Sequence, residues 1–268
     1  MPIPIHFRPQ EIFRRVLLGV TLTSLIAFKA QAQEPSLVVS SALKDMPKYK
    51  NIVRYNLSGA LLFGFDKYIV LGYERVIKPR QSASINIGKA SLPKFISINT
   101  DSFNLSSDKK NTGFNVSVDY RFYLARENRY KPPAGLYIGP YYSFTQFKRT
   151  NDWNFKNSGV VSSIQTDLQL GIHTVGFELG YQFILWKRMS LDLCMVGPGV
   201  GFYKVKADIN TNLNDERKAE LLDALNQLLS QKVPGMNYVF SDKHFEGNGT
   251  MNTTAFGFRY LFQIGFLF

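Results

Sequence analysis

The sequence is poor in the residues that build most reactive sites. One cysteine in 268 residues, Cys194, excludes an internal disulfide and a thiolate metal centre. Of the three histidines, His173 and His244 stand far apart with no clustered carboxylate, so metal-ligand spacing is absent. His173 is followed by Thr174, without the neighbouring serine that acyl hydrolysis would use. Gly197, Gly199 and Gly201 lie in a strand-like run with no helix after it, so they do not form a phosphate loop. These absences predict no enzyme activity, no cofactor and no bound metal; modification of lipid A is the enzymatic alternative. Long apolar runs are also lacking. A spanning helix needs about 20 apolar residues, and the most apolar stretch, Leu168 to Trp186, contains His173 and Glu178 and alternates.

What is present points to export and to strands. Arg8, Arg14 and Arg15 precede an apolar core of 13 residues, Val16 to Phe28, and Ala30-Gln31-Ala32 forms a small-x-small cleavage site. Residues 1–32 are therefore expected to be a signal peptide and 33–49 a periplasmic segment. Removing the signal lowers the formal charge from +12 to +9. A basic balance is one mark of nucleic-acid binding, but export and the gathering of lysines in connections (Lys78, Lys89, Lys148, Lys187) argue for solvated turns and no nucleic-acid partner. With 45% hydrophobic and 14% aromatic residues, including 22 Phe and 14 Tyr, the composition excludes disorder and favours strands.

Alternation is the dominant pattern. From Phe256 to Phe268 every even position is Phe, Tyr or Ile, while Gly257, Arg259, Leu261, Gln263, Gly265 and Leu267 fill the odd ones. Period two over this length marks a strand longer than the globular mean and suited to crossing a bilayer. The same alternation occurs at Phe114–Leu124, Val53–Phe63 and Val175–Leu185, and more weakly at Ile69–Val76, Ser82–Ile87, Leu136–Phe147 and Leu191–Val205. A bend is expected at Gly197-Pro198-Gly199. Leu168, Leu170 and Ile172 run in the opposite phase from Val175 onward, which predicts a bulge near His173.

Eight strands result. Their connections are Gly64–Lys67, Lys78–Gln81, Lys89–Thr112, Ala125–Ala134, Arg149–Asp167, Trp186–Met189 and Asp208–Thr250. From the second onward, short and long connections alternate, as in outer-membrane barrels with short periplasmic turns and long outer loops. One face of each strand is nearly charge-free. The other carries small residues with Arg54, Glu74, Asp119, Arg121, Glu178, Asp192 and Arg259, a set expected to pair inside a packed lumen. A soluble lipocalin-like barrel would carry many more charges on its polar face.

The expected architecture is all-β: an eight-stranded antiparallel up-and-down transmembrane β-barrel over residues 50–268. It would carry one helix, about 215–231, in the last outer loop at 208–250. Asn214 is the expected N-cap, and Asp215 and Glu216 occupy the first turn. Leu221, Leu222, Leu225, Leu228 and Leu229 form an apolar stripe along that helix. It either folds over the barrel mouth or meets a partner protein or the outer leaflet.

The export signal, the loop parity and the aromatic last strand ending at Phe268 resemble small outer-membrane barrels of the OmpA-like and OmpW-like type. Tyr68–Arg75 (YIVLGYER), Gly135–Tyr141 (GLYIGPY) and Gly197–Tyr203 (GPGVGFY) resemble an uncharacterised barrel family common in Bacteroidota. The resemblance implies a Gram-negative cell outer membrane, contact with its lipid, and recognition of the strand ending at Phe268 by the barrel-insertion machinery. No peptidoglycan-binding segment follows the barrel, so cell-wall anchoring is not carried over. The expected function is a structural or interaction barrel presenting outer loops to an extracellular or membrane protein partner. A small lipid-modifying enzyme or a narrow path for an apolar solute is the alternative.

Overall fold

The computed structural model describes residues 49–92, 103–128, 130–157, 160–209, 215–232, 236–240, 244–246 and 249–268. The expected signal peptide, nearly all of the segment before the barrel and Asn214 lie outside these residues.

Eight antiparallel strands close into a ring in sequence order: β1 (Asn51–Asn56), β2 (Tyr68–Lys78), β3 (Gln81–Ala90), β4 (Phe103–Tyr123), β5 (Gly135–Asn157), β6 (Val160–Leu185), β7 (Met189–Ile209) and β8 (Thr250–Leu267). β8 closes on β1 from Ile52↔Leu267 to Asn56↔Gln263. Phe268 N–H donates to Asn51 O at 2.9 Å beside this seam. Among the described residues three helices accompany the ring: α1 (Leu57–Phe63) after β1, then α2 (Asp215–Lys232) and α3 (Asn237–Phe240) before β8.

Three expectations need correction, and one open choice is decided. The first alternating segment is not one strand to Phe63, because β1 stops at Asn56 and the chain turns into α1. The Asn56 side chain accepts from Gly59 N–H at 3.2 Å, and Gly64, at φ +100°, donates its N–H to Ala60 O. An Asn start and a left-handed Gly stop are ordinary helix boundaries. Leu57 and Leu61 fit a four-residue spacing as well as a two-residue one.

The connection Arg149–Asp167 is also largely strand, and so is the last part of Lys89–Thr112. β4 begins at Phe103, and the β5–β6 pairing continues to Asn157↔Val160. The outward side chains described in these extensions, among them Lys110, Thr112, Thr150, Gln165 and Asp167, are polar, so alternation in the expected sense does not reveal them.

No bulge occurs at His173, since β5 and β6 keep one register from Gly135↔Gln182 to Asn157↔Val160. Even-numbered residues of β6 face inward from Ile164 to Gln182, and the apolar set changes sides instead. A register shift does occur in β7, where the β8 pairing jumps between Cys194 and Gly197. Met195 and Val196 both face outward there, so inward positions pass from even (Asp192, Cys194) to odd (Gly199, Gly201).

Finally, the leucine stripe of α2 is not a free surface. Leu221, Leu222, Leu225 and Leu229 are buried with Trp153, Ile164, Leu168, Leu170 and Val205, and the Leu228 side chain lies outside the described residues. Of the two roles weighed for the stripe, the structure holds the cap.

Strand length organises the molecule. β1 to β3 are 6, 11 and 10 residues long, whereas β4 to β7 run from 21 to 26. A complete lower ring therefore continues upward on one side as a tall curved sheet. In the lower ring large apolar side chains such as Leu71, Ile87, Val175 and Phe177 are exposed on the outside. In the upper sheet the apolar residues turn inward onto α2 and α3, while Gln169, Lys204 and Lys206 face outward.

Candidate functional site

The lower lumen is filled by charge. Inward phase on five strands brings Arg54 of β1, Glu74 of β2, Asp119 and Arg121 of β4, Glu178 of β6 and Asp192 of β7 to one level, all with buried side chains. Arg121 is the hub. Its Nε lies 2.7 Å from Asp119 Oδ1 and 3.7 Å from Glu178 Oε1, and its Nη1 lies 2.8 Å from Asp192 Oδ2 and 3.6 Å from Glu74 Oε2. Arg54 Nη1 bridges Asp192 Oδ2 at 2.7 Å and Glu74 Oε2 at 3.2 Å. Arg259 of β8 extends the network upward, with Nη1 3.3 Å from Glu178 Oε2 and Nη2 donating to Ser117 Oγ at 3.4 Å. The structure thus joins all seven charged residues read from the polar face.

Several partners escaped the charge-based reading. Tyr123 Oη donates within 2.9 Å of both Glu74 Oε1 and Gln182 Oε1, and Tyr137 Oη donates to Asp192 Oδ1 at 2.8 Å. The Tyr137 ring lies under the Arg121 guanidinium at 4.2 Å, and the Tyr141 ring under Arg259 at 4.6 Å. Ser82 donates to Glu74 and Ser84 to Asp119. Tyr137 and Tyr141 follow Gly135 and Gly139 in inward phase, so period two alone would have placed them in the lumen.

Buried charges persist only where neighbours replace the lost hydration. Charge, hydroxyl and ring contacts supply part of that replacement here. An eight-stranded ring leaves room for little beyond its side chains, and at this level the arrangement is a plug.

The histidines lie elsewhere. His173 faces outward, stacked on Phe144 at 4.4 Å, with Nδ1 2.8 Å from Tyr142 Oη. His244 is exposed, 3.9 Å from Asp223. Cys194 is buried, its Sγ 3.7 Å from Arg259 O.

No curated protein matches the chain. A family model described as a protein of unknown function (DUF3575) matches residues 68–223. That match runs from the first residue of β2 into α2 and takes in every charged residue of the plug except Arg54 and Arg259. Because it spans more than half of the chain, the protein belongs to the DUF3575 family.

Proposed function

We propose that this protein is an exported outer-membrane barrel of the small OmpA-like and OmpW-like kind, with a structural or interaction role. The lower ring crosses the hydrocarbon of a Gram-negative envelope. Its ion network closes the lumen to solutes, and the tall side stands beyond the outer leaflet, presenting its surface and loops to a protein partner.

One observation carries this reading: the change of sidedness along single strands. On β6 the outward residues Val175, Phe177, Phe183 and Leu185 are apolar and exposed, opposite buried Glu178 and Gln182. From Val175 to Leu185 is eleven residues, the length a tilted strand needs to cross a bilayer. Above Thr174 the same strand buries Leu168 and Leu170 and turns Asp167 and Gln169 outward. Water on both levels would leave a wide apolar belt exposed without cause; hydrocarbon at one level and water at the other accounts for both. Among the described residues no helix is long and apolar enough to cross a membrane. The strand ending beside Phe268 is the one the insertion machinery would read.

The test is fractionation followed by paired substitutions. The protein is expected in the outer-membrane fraction with heat-modifiable migration. Phe177→Arg should cost about 2–4 kcal/mol of folding stability in lipid vesicles. Gln169→Arg, outward on the same strand, should stay within about 0.5 kcal/mol of wild type. Equal tolerance of the two, measured by urea unfolding, would sink the membrane reading.

A further inference from the structure

Between the plug below and the apolar core above, the structure holds a cavity of about 760 Å³, within the size range of small-ligand sites. Strand length places it. β7 pairs with β8 as far up as Thr250, but β1 pairs with it only from Gln263 to Leu267. Among the described residues no strand covers the other edge of β8 from Thr250 to Phe262. α1 fills the lowest part, where Phe262 N–H donates to Ser58 Oγ at 3.4 Å. Among the described residues the wall is incomplete there.

Two independent observations agree with an opening. The inward residues of β8 at this height, Thr253 to Leu261, are half-buried, whereas Tyr203 and Val205 on adjacent β7 are buried. A Cβ added at Gly257 would meet only the Tyr238 hydroxyl, at 3.4 Å, while one at Gly139 or Gly176 would collide with the backbone of a neighbouring strand.

The lining is two-faced. Asn115 and Thr145 form a polar back wall, Arg259 is part of the floor, and Tyr68, Tyr238 and Phe258 form an aromatic mouth towards the β8 edge. Arg259 is the network arginine that reaches this space, its side chain 12% exposed against 0% for Arg54 and Arg121. Charge count then selects the head group. The plug holds four carboxylates and three guanidiniums. An ionised acid would therefore add negative charge where cations are already one short. A cationic head would meet the guanidinium first. An uncharged acceptor takes a hydrogen bond from Arg259 at neither cost.

We infer that this cavity binds, from the side, an alkyl chain ending in an uncharged hydrogen-bond acceptor: an ester, amide or ketone carbonyl. The carbonyl rests on Arg259, and the chain leaves past Phe258 into the surrounding apolar phase. The inference rests on the membrane reading above. Its ligand is either the acyl chain of a bilayer lipid or a free small amphiphile.

The full chain, reconstituted in phosphatidylethanolamine vesicles and floated, is photolabelled with three diazirine probes. They are a long-chain methyl ester, the matching carboxylate held at about pH 9, above the carboxylate range, and a phosphatidylethanolamine carrying the diazirine in its acyl chain. The ester is expected to label β8 between Thr250 and Phe262 and the segment around Tyr238 about tenfold above the outward face of β2 to β6, and saturably. The carboxylate should not. Gly257→Leu fills the space and should cut ester labelling about tenfold with heat-modifiable migration unchanged.

Labelling of this segment by the lipid probe as well identifies bilayer lipid as the source; labelling by the ester alone identifies a free amphiphile. Even labelling around the belt, label that excess unlabelled ester does not displace, equal labelling of Gly257→Leu, or carboxylate labelling as strong as the ester's overturns the inference. A chain that does not float overturns the membrane reading and this one together; one that floats and labels evenly overturns this one alone.

Discussion

The lower ring and the upper sheet are made by the same strands and hold together by opposite means. In the lower ring the inside is ionic and the outside apolar. In the upper sheet the inside is a core of Trp153, Ile164, Leu168, Leu170 and Val205 against α2, and the outside is polar. β6 passes through both without a change of register against β5. A β-strand therefore specifies which side chains share a face, and a single register serves an apolar outside at one level and an apolar inside at the other.

Substitutions that act on one region alone sharpen this contrast. The largest effect is expected at the hub. Arg121→Leu removes the one cation shared by all four carboxylates and leaves Asp119, among the described residues, with no ion partner; it should cost at least about 3–5 kcal/mol, seen as loss of heat-modifiable migration. In the upper sheet, Leu225→Ala removes a fully buried side chain of the cap and should cost about 2–5 kcal/mol. It should speed protease cleavage around α2 while leaving the migration of the ring intact. If Leu225→Ala also abolishes heat-modifiable migration, the two regions are one cooperative unit. Arg259→Leu should fall below Arg121→Leu, because among the described residues its one acidic partner is Glu178 and its side chain is the least buried of the three; urea midpoints of the two variants give the comparison. Smallest is Asn56→Ala, which removes the cap of α1 at a cost of about 1 kcal/mol, read from the same unfolding curves.

Much of the lower ring was legible in the sequence, because there the pattern of outer-membrane strands applies: outward Phe and Val, inward Asp, Arg and Gly. That pattern located eight strands and the seven charged residues of the plug. It failed where its premise failed. In Arg149–Asp167 the described outward residues Thr150, Gln165 and Asp167 are polar, so the pattern marks no strand there, although Arg149, Asn151 and Trp153 alternate inward as regularly as any lower strand. The apparent bulge at His173 was the same error seen on one strand, a change of sides taken for a change of phase. α1 was missed because Leu57 and Leu61 satisfy two periodicities, and only Asn56 and Gly64 separate them. The cavity has no sequence signature. It arises from the difference between where β1 ends and where β8 begins, which only the register reveals.

The shortness of the first strand has a mechanical consequence. The seam that shuts the ring carries five residue pairs, against 23 between the fifth and sixth strands. Tension applied to the C-terminal end would concentrate on those few bonds, so the molecule should open by peeling there, long before the tall hairpin gives way. The same seam joins the first strand to the last, so its loss would turn the closed ring into an open sheet with two free edges.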